Sequence, residues 1–598
     1  MKSSSLPVRA LVALVALILL PMISMADSTT SSHPHVSLDG DWKFHFEVDA
    51  PGLYLNWHTP SNDDSDWGTM RVPGDWGPQD GRGWYRRVVE IPEELRGIPD
   101  LAVIFRQADD IADVWIDGEW AQQNTAWNVP FAVLLTGRLA PDATSFFLAV
   151  RVEDKGGEGG LLRSVLLGPA SATELIYASE YSHLEARTQL ADIGDRVFYS
   201  MFVRNFTPEG TFEAARRRLP ELRGMGIDTL WLLPIHPIGE VERKGSVGSP
   251  YAIRDYSAVN PDLGTPEEFR AFVQDAHALG MKVIIDLVLN HTSPDSVLAR
   301  TRPELFLRDA DGNPTREVAD WWDIVDFDWT NPDTYEMAAQ HMEYWVREFD
   351  IDGYRADVAF MMPTDFWNMV RPRLDTIKPG IIMLAEAEAP ELHLEAFDLS
   401  YAWLQERAWR ETLAGQKTVA DLRHLLTVGS LNLPRGAVQV LYVENHDHER
   451  AMNWYGGPAQ AKLGAVLCTT LPGVPLLYTG TEVGASEPRD IFEKIPVIFD
   501  RDEHGMRAHW TSLLGMRARH EALRTGSFAL VDATPAEAIL AYERASETQR
   551  ILVVMNMTGE AKTLTVASDL MPTDALELGP WQWSIFVRPI APPDHNGR

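Results

Sequence analysis

A central (β/α)₈ barrel flanked by two β-sandwiches is the fold class that this 598-residue sequence predicts. Three observations predict it. Between about 195 and 525, apolar strand-like runs alternate with helix-like stretches, and the alternation yields eight strand candidates. Before about 175 and after about 525, short strand-like runs follow one another with turn residues between them. The chain is also too long for one core: at roughly 100–200 residues per domain it needs about three or four.

The elements follow in chain order. Lys2 and Arg9 precede the apolar run "ALVALVALILL", after which Ser24 and Ala26 offer small residues at the −3 and −1 positions of a cut. That pattern predicts a secretory signal over residues 1–26. The run is shorter than the roughly 20 residues of a membrane span. The expected protein is therefore exported, periplasmic or extracellular, with no stable membrane insertion once the signal is cleaved.

Residues 27–175 are read as an N-terminal β-sandwich, jelly-roll-like, on the runs "WKFHFEV", "WYRRVVEIP", "LAVIFRQA", "ADVWIDGEW" and "FFLAVRVED". This segment resembles the sugar-binding-like β-sandwich of family 2 glycoside hydrolases, through "LDGDWKF", "MRVPGDW", "DVWIDGE" and "LAVRVEDKGG". The resemblance implies a packing or spacer domain more readily than a sugar site. Its tryptophans (Trp42, Trp57, Trp67, Trp76, Trp84, Trp115, Trp120, Trp127) serve as core residues or as stacking platforms for sugars.

Residues 190–525 are read as the barrel. Its eight strand candidates begin at "VFYSMF", "DTLWLLP", "KVIIDLVLNH", "DGYRADVAF", "GIIMLAEAE", "AFDLSYAW", "AVQVLYVENHD" and "VPLLYTG". Continuous apolar strands joined by helical sequence mark a parallel sheet covered by helices, and eight such units close a barrel. "TPEEF" supplies a helix start, with Thr265 as N-cap and Pro266 in the first position. A polar, Trp-rich insertion at 292–330 follows strand three and is read as a small lid or subdomain. Residues 526–598 are read as a C-terminal β-sandwich, on "AILAYERA", "QRILVVMNM", "AKTLTVA" and "WQWSIFVRP".

Composition excludes several functions. The net charge of −33, from 86 acidic and 53 basic residues, argues against nucleic acid or an anionic membrane as partner, since both need basic patches. Cys468 is the only cysteine, so neither an intramolecular disulfide nor a cysteine metal cluster can form.

The chemistry is read at the C-terminal ends of the barrel strands, where such folds place it. Strand three ends in Asp286, Asn290 and His291; strand four in Arg355 and Asp357; strand five in Glu386 and Glu388; strand seven in Glu444, His446 and Asp447. Four strands thus bring carboxylates to one rim. A metal site and a glycosidase site are the two readings of such a cluster. No metal-ligand spacing is present, and "DADGNP" at 309–314 lacks the twelfth-position glutamate of a calcium loop.

Taken in order, "DLVLNH", "GYRADVA", "LAEAE" and "ENHD" resemble the conserved regions of the α-amylase family, family 13 glycoside hydrolases, and "GSPYAIRDYSAVNPDLGT" resembles the stretch after its second strand. The resemblance covers about 195–525 and continues into the C-terminal sandwich. It implies retaining cleavage of α-1,4-glucosidic bonds in α-glucans or maltooligosaccharides. Asp357 then matches the nucleophile, Glu386 the general acid/base and Asp447 the third carboxylate. Tyr251, His291, Arg355, His446 and Asp286 match residues that bind the sugar or support the site. No cofactor is required; a bound calcium stays open, with Asn290 as the residue that ligates it in relatives. Oligomeric state is not set by this sequence.

Two further expectations follow from the residue types. Arg355, two residues before Asp357 and so on the same strand face, should hold the nucleophile ionised, while Glu386 among other carboxylates should be raised. The two carboxyls should lie about 5–5.5 Å apart, as retention requires. The chain departs from many relatives after the nucleophile, where "VAFMMP" replaces a lysine–histidine pair and makes Met361 and Met362 candidates for the acceptor wall. That departure leaves open a 4-α-glucanotransferase or an α-1,6-acting enzyme on the same site. A non-catalytic α-glucan-binding protein is the alternative that loss of any of the three carboxylates would have favoured.

Overall fold

The computed structural model describes residues 33–590, apart from 48–51, 78, 126–128, 141, 157–158 and 188–189. The expected signal over residues 1–26 and Trp127 lie outside the described residues.

At the centre, eight parallel strands close into a barrel: β1 (Phe198–Met201), β2 (Thr229–Leu232), β3 (Lys282–Leu287), β4 (Gly353–Ala356), β5 (Ile382–Ala385), β6 (Leu399–Tyr401), β7 (Gln439–Leu441) and β8 (Val474–Tyr478). Each of the eight runs read from sequence contains one of them. Their nearly unbroken apolar character is explained by burial on both faces. Alternate residues (Phe198, Trp231, Ile284, Leu384, Val440, Leu476) fill the barrel interior. Their neighbours (Tyr199, Leu230, Ile285, Met383, Leu441, Leu477) pack outward under the helices. The helix over Pro266–Ala278 starts as expected, with Thr265 and Glu268 forming a capping box.

β4 has one position where only glycine fits. Gly353 has φ +150°, and a Cβ there would meet the carbonyl oxygen of Ile382 on β5 at 1.9 Å. This close approach sets the β4–β5 register that carries Arg355 and Asp357 to the barrel mouth.

The insertion after β3 is small. Its ends pair as a two-stranded bridge, His291–Thr292 with Val325–Asp326, which folds residues 316–326 back over the barrel mouth. Within it "DADGNP" is a turn: the Asp309 carboxylate accepts from the backbone N–H groups of Asp311 and Asn313.

The N-terminal region is a sandwich of antiparallel strands in a four-stranded and a six-stranded sheet. Its shared core contains Trp42, Val72, Tyr85, Val103, Phe105, Val114 and Val150. Trp67, Trp84 and Trp115 form a second buried cluster, with Trp57 half-buried against it. Trp76 is half-buried and Trp120 is 57 % exposed, so most of the described tryptophans are core and Trp120 alone among them offers a broad face to solvent. The C-terminal region holds a four-stranded and a three-stranded antiparallel sheet. One face of the larger sheet is continuous with the barrel core through Leu540, Tyr542, Ile551 and Val553, and Arg544 donates to the Thr470 carbonyl at 2.7 Å.

Candidate active site

Strand register assembles the site. In the parallel β3–β4 ladder, Asp286 is the Cα partner of Arg355. Both follow inward-facing positions by two residues, so their side chains meet inside the barrel near its C-terminal end. The ladder then continues one residue past each strand. The Asp357 N–H donates to the Leu287 carbonyl at 3.0 Å, and the Glu386 N–H to the Ala356 carbonyl at 3.0 Å. Asp357 and Glu386 are thus seated on rigid strand ends rather than on free loops.

One guanidinium joins the acids. Arg355 Nη1 lies 2.8 Å from Asp286 Oδ1 and 3.0 Å from Asp357 Oδ1, and Nη2 lies 2.6 Å from Glu386 Oε1. Arg355 Nε donates to the Tyr401 hydroxyl at 3.2 Å. Val358, directly after the nucleophile position, is in the left-handed region at φ 38°, ψ 48°. That conformation is strained for a β-branched residue. It aims the Val358 N–H at Glu386 Oε2, 2.7 Å away.

Asp286 and Arg355 are fully buried beneath the cavity and are not among its lining residues, so they support the site from below. The Asp286 oxygens are taken by Arg355, by the Tyr251 hydroxyl at 3.0 Å and by Trp231 Nε1 at 3.2 Å. Burial pushes the Asp286 carboxyl up to about 6, against the pull of Arg355.

Above them lies a cavity of about 320 Å³ that brings together Tyr251, His291, Asp357, Glu386, His446 and Asp447. The Tyr251 hydroxyl meets His446 Nε2 at 2.6 Å, and the two rings stack at 5.5 Å. His446 Nε2 is also 3.3 Å from Asp447 Oδ2, and His291 Nε2 is 3.9 Å from Asp357 Oδ2. Burial lowers His291 to about 3 and His446 well below the ordinary histidine range, so both rings are neutral near pH 7 and can donate or accept without adding charge. The Asp447 side chain is 46 % exposed, the most open of the three carboxylates.

The electrostatics correct one expectation. Burial raises Asp357 well above the ordinary aspartate range; Arg355 opposes this, and Glu386, Asp286 and Asp447 add to it. A single cation shared among three carboxyls does not single out the nucleophile position for ionisation. Three carboxyl groups thus meet one guanidinium, and Asp357 and Glu386 face the cavity.

Met362 also departs from its expected place, and the surroundings of the site are otherwise packed. Met362 is buried in the core, not at the acceptor wall, while Phe360 is 46 % exposed and meets Trp403 edge-on at 6.3 Å. The Tyr256 hydroxyl donates to the His291 carbonyl at 2.8 Å. His236 is buried against Trp345 and Tyr256, and Glu444 pairs with Arg450 at 3.0 Å; both are structural. Asn290 is buried, and no group of three or more His, Cys, Asp or Glu among the described residues is arranged to hold a metal ion.

Sequence reasoning missed Lys244, Trp321, Asp323 and Phe492, which line the same cavity from three loops. Each lies in an irregular segment that carries no periodic signal, and only the closed barrel brings those segments together.

The model of the alpha-amylase catalytic domain matches residues 176–322 and 317–527. Alpha-amylase MalA of Haloarcula japonica is 28% identical over 524 residues, covering 81% of this chain and 72% of its own. An alpha-1,4-glucan:maltose-1-phosphate maltosyltransferase of Streptomyces coelicolor is 28% identical over 439 residues, 65% of this chain and 62% of its own length. Among solved structures, the maltogenic alpha-amylase AmyB of Thermotoga neapolitana aligns with TM-score 0.63 and 31% identity, covering 67% of this chain and all of that one.

Proposed function

The chain belongs to the alpha-amylase family of glycoside-hydrolase-type enzymes, and on that premise we propose that it is a retaining enzyme cleaving α-1,4-glucosidic bonds in α-glucans or maltooligosaccharides. The carrying observation is that three carboxylates from three strand ends, Asp357, Glu386 and Asp447, share one cavity with the stacking ring of Tyr251 and two neutral histidines.

In this reading the carboxylate of Asp357 attacks the anomeric carbon while Glu386 gives its proton to the departing glycosidic oxygen, leaving a covalent glycosyl ester on Asp357. Glu386, now ionised, takes a proton from water, whose oxygen attacks the anomeric carbon and releases Asp357. Tyr251 stacks under the sugar, and Asp447, His291 and His446 hold its hydroxyls. Arg355 balances the site as charge moves from Asp357 onto the sugar and from Glu386 to the leaving group.

A second reading differs only in the acceptor: a saccharide hydroxyl replaces water, giving transfer. It is supported by relatives that are maltosyltransferases and by the exposed ring of Phe360, three residues after Asp357 and edge-on to Trp403. Incubation with maltoheptaose, with and without maltose-1-phosphate as donor, separates the two. Only shorter oligosaccharides mean hydrolysis; longer ones mean transfer; no change in either mixture sinks both. We further propose export, supported by the signal-like residues 1–26.

A further inference from the structure

We propose that Lys244, clamped between the insertion after β3 and the loop after β8, closes the non-reducing-end side of the active-site cavity and makes the enzyme exo-acting, with room for a short glycone only. This rests on the glycosidase reading above and adds its mode of attack.

The direction of the substrate follows from the barrel order. Glu386 ends β5 and donates to the leaving oxygen, so the aglycone lies on its side of the cleaved bond. In a closed ring of eight strands, β5 stands opposite β1. The glycone therefore runs across the mouth toward the end of β1, which is flanked by the loops after β2 and β8.

Those two loops meet and seal. Arg204, in the short helix after β1 (Val203–Phe206), is buried, and its Nη1 donates to the Gly248 carbonyl at 3.1 Å and the Ile491 carbonyl at 3.0 Å, one from each loop. The Val247 N–H donates to the Phe492 carbonyl at 3.2 Å, and the Ser246 N–H to Glu493 Oε1 at 2.8 Å. A Cβ on Gly245 would meet Phe492 Cβ at 2.5 Å, so the loops are in backbone contact, with no gap for a sugar.

Lys244 then ties this seam to the third loop. Its Nζ lies 2.9 Å from Asp323 Oδ1, donates to the Asp320 carbonyl at 3.0 Å, and sits 4.3 Å over the Trp322 ring and 5.7 Å from the Phe492 ring. The Lys244 and Asp323 side chains are only 14 % and 5 % exposed. A shielded, geometrically fixed pair holds better than a surface one. Because Asp323 neutralises it, Lys244 offers a wall and not a site for an anion. At about 320 Å³ the cavity is at the small end of the ligand-pocket range of about 300–1,000 Å³ and suits about one or two glucose units.

The experiment compares p-nitrophenyl maltoheptaoside carrying a 4,6-O-ethylidene group on its non-reducing end with the unblocked compound. The purified enzyme is expected to prefer the unblocked substrate by about tenfold or more in kcat/KM. Lys244→Ala and, independently, Phe492→Ala are expected to bring the ratio toward one by speeding cleavage of the blocked compound relative to the free one. A merely structural role would slow both equally. Equal rates in the unmodified enzyme overturn the exo-acting proposal while the glycosidase reading stands. Inertness on both compounds overturns that reading and this one with it. Discrimination that survives in both variants overturns the assignment of the wall to these residues.

Discussion

Two buried arginines, Arg86 in the N-terminal sandwich and Arg355 at the barrel mouth, show what separates a structural charge from a working one. Both are at most 2 % exposed. Arg86 has one carboxylate, Asp64 at 2.7 Å; its Nη2 donates to the Thr59 and Asn62 carbonyls, and its guanidinium lies over Trp67 and Phe147 at 5.1 and 4.8 Å. One charge meets one countercharge, and the rest of the shell is neutral. Burial therefore lowers the Arg86 pKa from its ordinary value, with Asp64 only partly opposing. At Arg355 burial pulls the same way, yet Asp286 and Glu386 reverse it and the group is held well above its ordinary value. Three carboxylates share one cation there, and a cavity opens on the excess. A buried cation that balances its shell holds a fold; a shell with surplus carboxyl groups facing a cavity marks a candidate working site.

The largest expected effect breaks that surplus. Asp357→Asn should lower kcat by about 10⁴-fold or more while leaving the fold intact. Because burial raises the folded pKa of Asp357 above its unfolded value, ionising it costs stability as pH rises through that interval. At pH 7 the asparagine variant should therefore melt no lower than the parent. A thermal scan alongside the kinetics checks both halves, and activity persisting in the folded variant removes Asp357 as nucleophile.

The next effects concern the scaffolds. Gly353→Ala pushes a Cβ into the Ile382 carbonyl in a backbone region that glycine favours. It should cost at least about 3 kcal/mol and lower the yield of folded enzyme. Arg86→Ala leaves Asp64 unpaired, but that side chain is 30 % exposed and can be solvated. A loss of about 2 kcal/mol is expected, below the roughly 3–5 kcal/mol of a fully buried pair. Activity per folded molecule should stay unchanged, and a fall in it would overturn the structural role of Arg86.

A smaller effect sharpens the titration. The nucleophile must be ionised, and its raised pKa moves the acid limb of kcat/KM to higher pH than the roughly 3.9 of a free aspartate. His291 and His446, lowered by burial, are already neutral across this range and add no limb. A profile flat down to about pH 4 would contradict the raised value.

How far the sequence carried differs between the two regions for the same reason. The barrel was legible because its strands are apolar on both faces and its charges stand at fixed offsets from them: Asp286, Arg355, Asp357 and Glu386 are all within a residue or two of a strand end. The sharing of Arg355 among three acids was not legible, since it depends on β3, β4 and β5 being side by side. Lys244 and Phe492 lie about 250 residues apart in loops without period, and nothing local announces that they touch. In the sandwich the tryptophans were legible as aromatic residues but not as inward or outward, because which face is buried depends on how the two sheets pack.

The smallest expected effect tests whether the sandwich has any site at all. Among the described tryptophans there, Trp120 stands most open, on the strand Glu119–Asn124 at the end of the six-stranded sheet. A lone exposed ring is ordinary on a protein surface. On the neighbouring strand Asp113 is already paired with Arg151 at 2.6 Å. Trp120→Ala should therefore leave kcat/KM on maltoheptaose, thermal stability and adsorption to insoluble starch at their original values. Lost adsorption with kcat/KM intact would make the sandwich a second carbohydrate-binding region, and the balance seen around Arg86 would then describe only its interior.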